Sequence, residues 1–284
     1  MSGIHRLSVT LSVILIAAAC ATAAAFAGRT GFVSANEAVY SVPVLMYHSV
    51  CRNERVTSDY LITPEAFEED IRYLKANGYT AIFTSELVSF VKNGTPLPEK
   101  SIIITLDDGF YNNLTNVLPV LKKYGFKATV NIVGSYSAEF SQNKDKNPAY
   151  AYLAWDDIAA LAASGYIEIG SHTYDLHSLG SRRGCSIRKG ESPEKYKLML
   201  KNDLTRLQDA LRENCGITPR VFAYPYGEFC DEAREVLSES GFDAAYTCRE
   251  KINVITRDTD LYELCRINRT GRLSTADFMS SRKI

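Results

Sequence analysis

Histidine and tryptophan are scarce in this 284-residue chain, which has four His, one of them His5, and a single Trp, Trp155. Any imidazole chemistry in the body of the protein must therefore fall on His48, His172 and His177. No two cysteines form a C-x-x-C pair, which removes the usual support for a cysteine-built zinc site. Charge of one sign is also lacking: 32 Lys and Arg against 33 Asp and Glu leave a formal net charge of -1. No field steers the protein toward nucleic acid or an anionic membrane, and neither class of partner is expected from charge. There is no low-complexity tract and no linker of domain-boundary quality. With 46% hydrophobic residues, one globular domain with a large core is the expectation.

A long apolar run occurs at the N-terminus, in "MSGIHRLSVTLSVILIAAACATAAAFAGRT". It follows Arg6 and ends in small residues near Ala23–Ala27, the pattern of a secretory signal. Leu7 to Ala27 also approaches the roughly 20 residues that span a bilayer. Residues 1–27 are thus expected to be a signal peptide or an uncleaved membrane anchor, 28–40 a short linker and 41–284 the folded domain. Export follows, with the protein either secreted or tethered to the outer face of the membrane. Cys51, Cys185, Cys215, Cys230, Cys248 and Cys265 make an even set in such a chain, so disulfides are expected, with the pairing left open.

Helical and extended segments alternate, and four joins are alike: "KANGYTAIF", "KKYGFKATV", "AASGYIEIG" and "SESGFDAAY". In each, glycine supplies a left-handed helix cap and an aromatic residue packs back as the next strand starts. "ENCGITPRVF" is a looser copy. Thr63 caps the first helix, Pro64 occupies its first turn, and Phe67, Ile71 and Leu74 share one face. Leu114, Val117, Leu118 and Leu121 form a second face, and Leu198, Leu204, Leu207 and Leu211 a third. Strands are expected at Val42–His48, Thr80–Phe83, Ser101–Asp107, Lys127–Val133, Tyr166–Ser171, Val221–Tyr224, Ala244–Thr247 and Leu264–Ile267. Ser135–Ala149 and Gly180–Pro193 read as polar surface loops. The alternation calls for a parallel sheet covered by helices, an α/β fold of the distorted (β/α) barrel type with about seven parallel strands. An open doubly wound sheet is the second choice.

In such barrels the site forms at the carboxyl ends of the strands. "SIIITLDDGF" ends a strand in two carboxylates, Asp107 and Asp108, which regular strand geometry would point to opposite faces. They must converge through the turn at Gly109 or serve separate roles. "EIGSHTYDLHSL" holds His172 and His177 five residues apart, a spacing that a helix would rotate about 140° out of register. A strand end and turn suits them better, and two histidines with one carboxylate form a zinc shell that leaves a position open. Thr173 and Ser178 follow the histidines and could bond them from behind. His48 closes the first strand, and "VFAYPYGEF" shapes a loop at Tyr224–Gly227 whose backbone can aim an amide at a reacting oxygen.

Taken together, "TLDDG", "SHTYDLHS" and "AYPYG" resemble the three main motifs of the polysaccharide deacetylases (NodB-homology, carbohydrate esterase family 4). The order and the intervening helices fit from about Val42 to Ile267. The resemblance implies Asp107 as general base and Asp108, His172 and His177 as ligands of a divalent metal, zinc in the first instance. It also implies the Tyr226 amide, beside Pro225, as oxyanion donor. "PVLMYHSV" is similar to the subgroup that contains poly-N-acetylglucosamine deacetylases, in which a first-strand histidine supplies the acid; His48 matches, and no histidine follows His177.

Two departures stand out. Ala223 occupies the place of an arginine that orients the catalytic Asp, with Arg266, ahead of Arg220, as the candidate substitute, and the late tryptophan motif has no match. The implied reaction is removal of N-acetyl groups from N-acetylglucosamine units of a cell-surface or extracellular polysaccharide. The alternatives are an O-acetyl esterase on acetylated glycans, or an inactive glycan-binding barrel. Which polymer is bound, and in what oligomeric state, stays open.

Overall fold

All eight segments read as strands join one parallel sheet in the computed structural model, which describes residues 38–52 and 58–284. The expected signal or anchor at 1–27 and most of the 28–40 linker lie outside the described residues. Among the described residues, no helix is long and apolar enough to cross a membrane. Residues Val39–Ile284 form one compact unit.

The sheet strands, numbered in chain order, are β1 (Val44–Tyr47), β2 (Thr80–Ala81), β3 (Ser101–Leu106), β4 (Ala128–Ile132), β5 (Ile167–Ser171), β6 (Val221–Ala223), β7 (Ala244–Tyr246) and β8 (Ile267–Asn268). Their spatial order is β7-β6-β5-β4-β3-β1-β8, with β2 paired to the first residues of β3. The curl is bridged by one short segment. Leu264 pairs with Tyr246 of β7, and three residues later Ile267 and Asn268 pair with Leu45 and Met46 of β1. This closes the distorted barrel expected from the alternation and puts Arg266 inside the closing segment.

The helices are α1 (Pro64–Ala76), α2 (Thr84–Asn93), α3 (Leu118–Tyr124), α4 (Gly134–Asn143), α5 (Trp155–Ala163), α6 (Pro193–Cys215), α7 (Asp231–Glu239) and α8 (Thr275–Arg282). In α1 the Thr63 hydroxyl accepts the Ala66 N–H at 3.2 Å, and Phe67, Ile71 and Leu74 are buried. Gly78, Gly125, Gly165, Gly216 and Gly241 all take positive φ, as the repeated joins require. At three joins the N–H of the next aromatic residue reaches back to the helix, Tyr79 to Leu74 O, Phe126 to Leu121 O and Phe242 to Leu237 O, each at 3.0 Å.

Both faces of the sheet are buried, but they differ in chemistry. Ile104 and Leu106 of β3 and Val130 and Ile132 of β4 pack outward in one core with Leu118, Leu121, Ile158 and Leu161 of the helices. The opposite faces carry Thr105 and Asp107, and Thr129 and Asn131: Asn131 donates to Asp107, Thr105 accepts from Arg266, and Thr129 meets Thr84 inside the curl.

Three expectations are corrected. Ser135–Ala149 is not simply a loop, because α4 occupies its first part. Its serines hide an i, i+4 aromatic pair, Tyr136 and Phe140, that packs on Tyr152 with centroids at 4.4 and 5.5 Å. Leu198 is 62% exposed, and the buried face of α6 is instead Tyr196, Leu200, Leu204, Leu207 and Leu211. The six cysteines are free thiols. They are distributed among separate contacts: Cys215 sits against Trp155 O, Cys230 against the Tyr196 hydroxyl and Cys248 against Met46.

Candidate active site

The chain turns sharply just past three strand ends. Asp108, Thr173 and Tyr226 take φ of 71°, 71° and 60°, a region that side-chain-bearing residues avoid. Past β3, Asp108 and then Gly109, at φ 73°, swing the chain so that both carboxylates face the same pocket instead of opposite sides of the sheet. Past β5, Thr173 turns the chain after His172 so that His177 returns beside it, with the two rings 5.0 Å apart. Past β6, the Tyr226 ring stacks on His177 at 4.8 Å.

Asp108, His172 and His177 each offer one ligand atom, and these atoms lie within 4.8 Å of one another. Asp108 Oδ1 stands 3.6 Å from His172 Nε2 and 3.3 Å from His177 Nε2. A tetrahedral ion with bonds of about 2.0–2.2 Å separates its ligand atoms by about 3.4 Å. Asp108 Oδ1 is buried with no hydrogen-bond partner, which is costly unless a cation meets it. His172 Nδ1 lies 2.7 Å from the Ala223 carbonyl, so Nδ1 carries the proton and Nε2 is left as a lone pair. The Tyr136 hydroxyl is 3.3 Å from His177 Nδ1. Burial pushes His172 down to about 3 and lowers His177, so both rings are neutral, the ligating form. Burial pushes the Asp108 carboxyl up to about 6. Ligand types, spacing and orientation together fit a divalent metal.

Asp107 is held differently. Its Oδ1 accepts from Arg266 Nη1 at 2.7 Å and from Asn131 Nδ2 at 2.8 Å, leaving Oδ2 for the pocket. Burial alone would raise this carboxyl, but the Arg266 guanidinium beside it outweighs burial and holds Asp107 below the usual carboxylate range. Arg266 is fully buried and also donates to Thr247 O at 3.1 Å and Thr105 Oγ1 at 3.3 Å. It thus stands on the Asp, where Ala223 has no side chain to reach. Arg220 lies elsewhere, exposed and paired with Asp243.

His48 follows β1 and lines the same pocket, its ring 4.8 Å from Tyr60 and its carbonyl accepting from Asn113 Nδ2 at 3.2 Å. Its Nδ1 is buried without a partner, so Nε2 is the nitrogen open to the cavity. The pocket measures about 750 Å³, and Tyr60, Phe110, Leu179 and Tyr226 are among its walls. Pro225 is buried beneath it, and a Cβ on Gly184 would meet its carbonyl at 2.5 Å, so the 180–193 segment packs against this loop.

Asn131 and Tyr136 were not singled out from sequence, and Cys248 only as a disulfide candidate, yet all three border the site. Asn131 carried the clearest signal, a lone amide in the apolar run "KATVNIV". Gly170 opposite it makes room, since a Cβ there would sit 2.1 Å from Asn131 Oδ1. Thr173 and Ser178 do not serve as expected. Thr173 Oγ1 accepts the Leu176 N–H at 3.2 Å within the loop, and Ser178 is exposed.

Residues 94–245, more than half of the chain, match the polysaccharide deacetylase family. The chain is 26% identical over 208 residues to a poly-beta-1,6-N-acetyl-D-glucosamine N-deacetylase of Escherichia coli K12, covering 66% of this chain and 30% of that protein. The chain therefore spans less than a third of the length of that relative. Against the protein of the same name in Staphylococcus epidermidis it is 26% identical over 232 residues, covering 79% of this chain and 73% of the other. Among solved structures, IcaB from Ammonifex degensii superposes with a TM-score of 0.71 at 26% identity, covering 86% of this chain and 98% of that one. By fold and by sequence, the chain belongs to the polysaccharide deacetylase family.

Proposed function

We propose that this protein is a hydrolase that removes N-acetyl groups from a polymer of β-linked N-acetylglucosamine outside the cell. The observation that carries this reading is the convergence of Asp108, His172 and His177 at ligating distances beside an ionised Asp107. Asp108, His172 and His177 would hold the divalent ion, zinc in the first instance. When bound, such an ion makes water more acidic and polarises an acetyl carbonyl, so that even a weak base suffices.

In this scheme Asp107 takes the proton of the attacking water on Oδ2, while Arg266 and Asn131 keep the carboxylate aimed and ionised. The water oxygen bonds to the acetyl carbon, and the main-chain N–H of Tyr226 meets the oxygen that becomes negative. The C–N bond then breaks, and His48 Nε2 delivers a proton to the departing amine, yielding acetate and an amino sugar. Tyr60 and Leu179 at the rim offer apolar surface to the sugar rings. The names of the relatives support N-acetylglucosamine as the sugar, and the apolar run from Leu7 to Ala27 supports an exported location.

The test is acetate release from N-acetylglucosamine oligomers by the protein stripped with a chelator and resupplied with zinc, beside Asp107→Asn. Release should require the metal and fall at least about 100-fold in the variant. Release from O-acetylated xylan but not from these oligomers would shift the assignment to an esterase, and zinc uptake with no release from either would support a binding barrel.

A further inference from the structure

His172 and His177 sit at the two ends of a four-residue loop, and their mutual geometry depends on how that loop is held. Thr173 O accepts the Gly134 N–H at 3.1 Å and Tyr174 O accepts the Ser135 N–H at 2.7 Å, both from the start of α4. On the other side stands Asp203 of α6, whose Oδ1 accepts the Tyr174 N–H at 2.7 Å and whose Oδ2 accepts the Asp175 N–H at 2.8 Å. The left-handed Thr173 is followed directly by these two N–H groups, and a carboxylate offers one acceptor to each. Asp203 is itself fixed, because α6 buries Tyr196, Leu200, Leu204, Leu207 and Leu211 in the core. The guanidinium of Arg206, one turn along, lies 3.8 Å from the Tyr174 ring centre.

Resting on the metal-centre reading above, we propose that Asp203 is a positioning residue that clamps the 173–176 loop and so holds His177 at ligating distance from Asp108 and His172. It touches neither ion nor glycan. Its effect reaches the site through the backbone of a loop only four residues long, in which a shift at Tyr174 or Asp175 displaces His177 relative to His172. An asparagine there turns an amide N–H toward one of the two donors, so one bond is lost; alanine loses both.

The experiment uses the full chain, wild type, Asp203→Asn and Asp203→Ala, each competed for zinc against a chromogenic chelator, with far-UV circular dichroism as the check on folding. Zinc affinity should fall about 10-fold in the asparagine variant and up to about 100-fold in the alanine variant, at unchanged ellipticity. With saturating zinc, kcat on N-acetylglucosamine oligomers should recover toward the wild-type value at unchanged KM, whereas a general loosening of the fold would leave kcat low however much zinc is supplied. Should the alanine variant fail to fold, the asparagine variant alone decides. If wild type binds zinc and Asp203→Asn binds it equally well, the inference is overturned while the metal site stands; if wild type binds no zinc, both are overturned.

Discussion

Asp108, Thr173 and Tyr226 each hold a backbone conformation that costs about 1–3 kcal/mol for residues with side chains, and each follows a different strand end. The cost is met because straight continuation of β3 would send Asp108 away from Asp107. At the same scale, the missing side chain of Gly170 leaves the space that Asn131 fills on its way to Asp107. Gly170→Ala is predicted to drive the amide aside, destabilising the protein by about 1–3 kcal/mol in urea titration and lowering kcat without changing KM. Wild-type stability in the variant would show that the Asn131 carboxamide is free to move.

Two elements, one covering the site and one closing the barrel, hold it from outside. The 180–193 segment lies on the Pro225 loop and is held by Arg182, which donates to Glu191 Oε1 at 2.5 Å, and by the Arg188 N–H on Oε2 at 2.9 Å. The bond from Arg182 brings Glu191 down to about 2. A depressed carboxyl stabilises fully above its unfolded value near 4.3, and that contribution disappears as pH falls through about 2. Hydrogen exchange within 180–193, corrected for intrinsic rate, is therefore expected to rise only below about pH 4, whereas Glu191→Gln should already show the faster exchange at pH 7. Equal exchange in the two proteins at pH 7 would refute the role of this pair.

The closing segment depends on a second, fully buried ion pair. Arg269 Nε meets Asp70 Oδ2 at 2.7 Å, and the same carboxylate accepts from Tyr47 at 3.1 Å and Thr275 at 2.6 Å, joining β1, α1 and α8. Asp70→Asn leaves the guanidinium buried and uncompensated, and should cost about 3–5 kcal/mol of unfolding free energy. A loss under about 1 kcal/mol would mean that the closing segment is held by its strand pairing alone.

For the molecule as a whole, the metal is expected to matter to chemistry far more than to folding. The barrel buries apolar residues on the outer face of its sheet and a bonded polar set on its inner face, so its core does not need an ion to form. Chelation should abolish acetate release while leaving far-UV ellipticity intact. Resupplying zinc at about 100 times its Kd should raise Tm by roughly 5–10 °C, from about 2.7 kcal/mol of binding stabilisation spread over a domain of this size. Loss of ellipticity on chelation would instead make the ion part of the fold.

The alternation of caps, apolar stripes and β-branched runs was sufficient to read a parallel, helix-covered barrel, because each depends on dihedral preferences and contacts within a few residues. It also showed that Asp107, Asp108, His48, His172 and His177 stand at strand ends, and a parallel barrel gathers its strand ends on one rim. Only the tertiary structure decided which groups meet across that rim. Arg266 reaches Asp107 because the Leu264–Asn268 segment closes the curl, and Asn131 reaches it because Gly170 on the neighbouring strand leaves space. Asp203 faces the histidine loop because α6 packs where it does, and α4 escaped notice because its apolar stripe is only two aromatic residues wide. Spacing along a chain constrains neighbours within a turn or a strand; partners that lie on different strands and helices, from 24 residues apart for Asn131 and Asp107 to 159 for Arg266 and Asp107, are set by how the sheet closes and the helices pack.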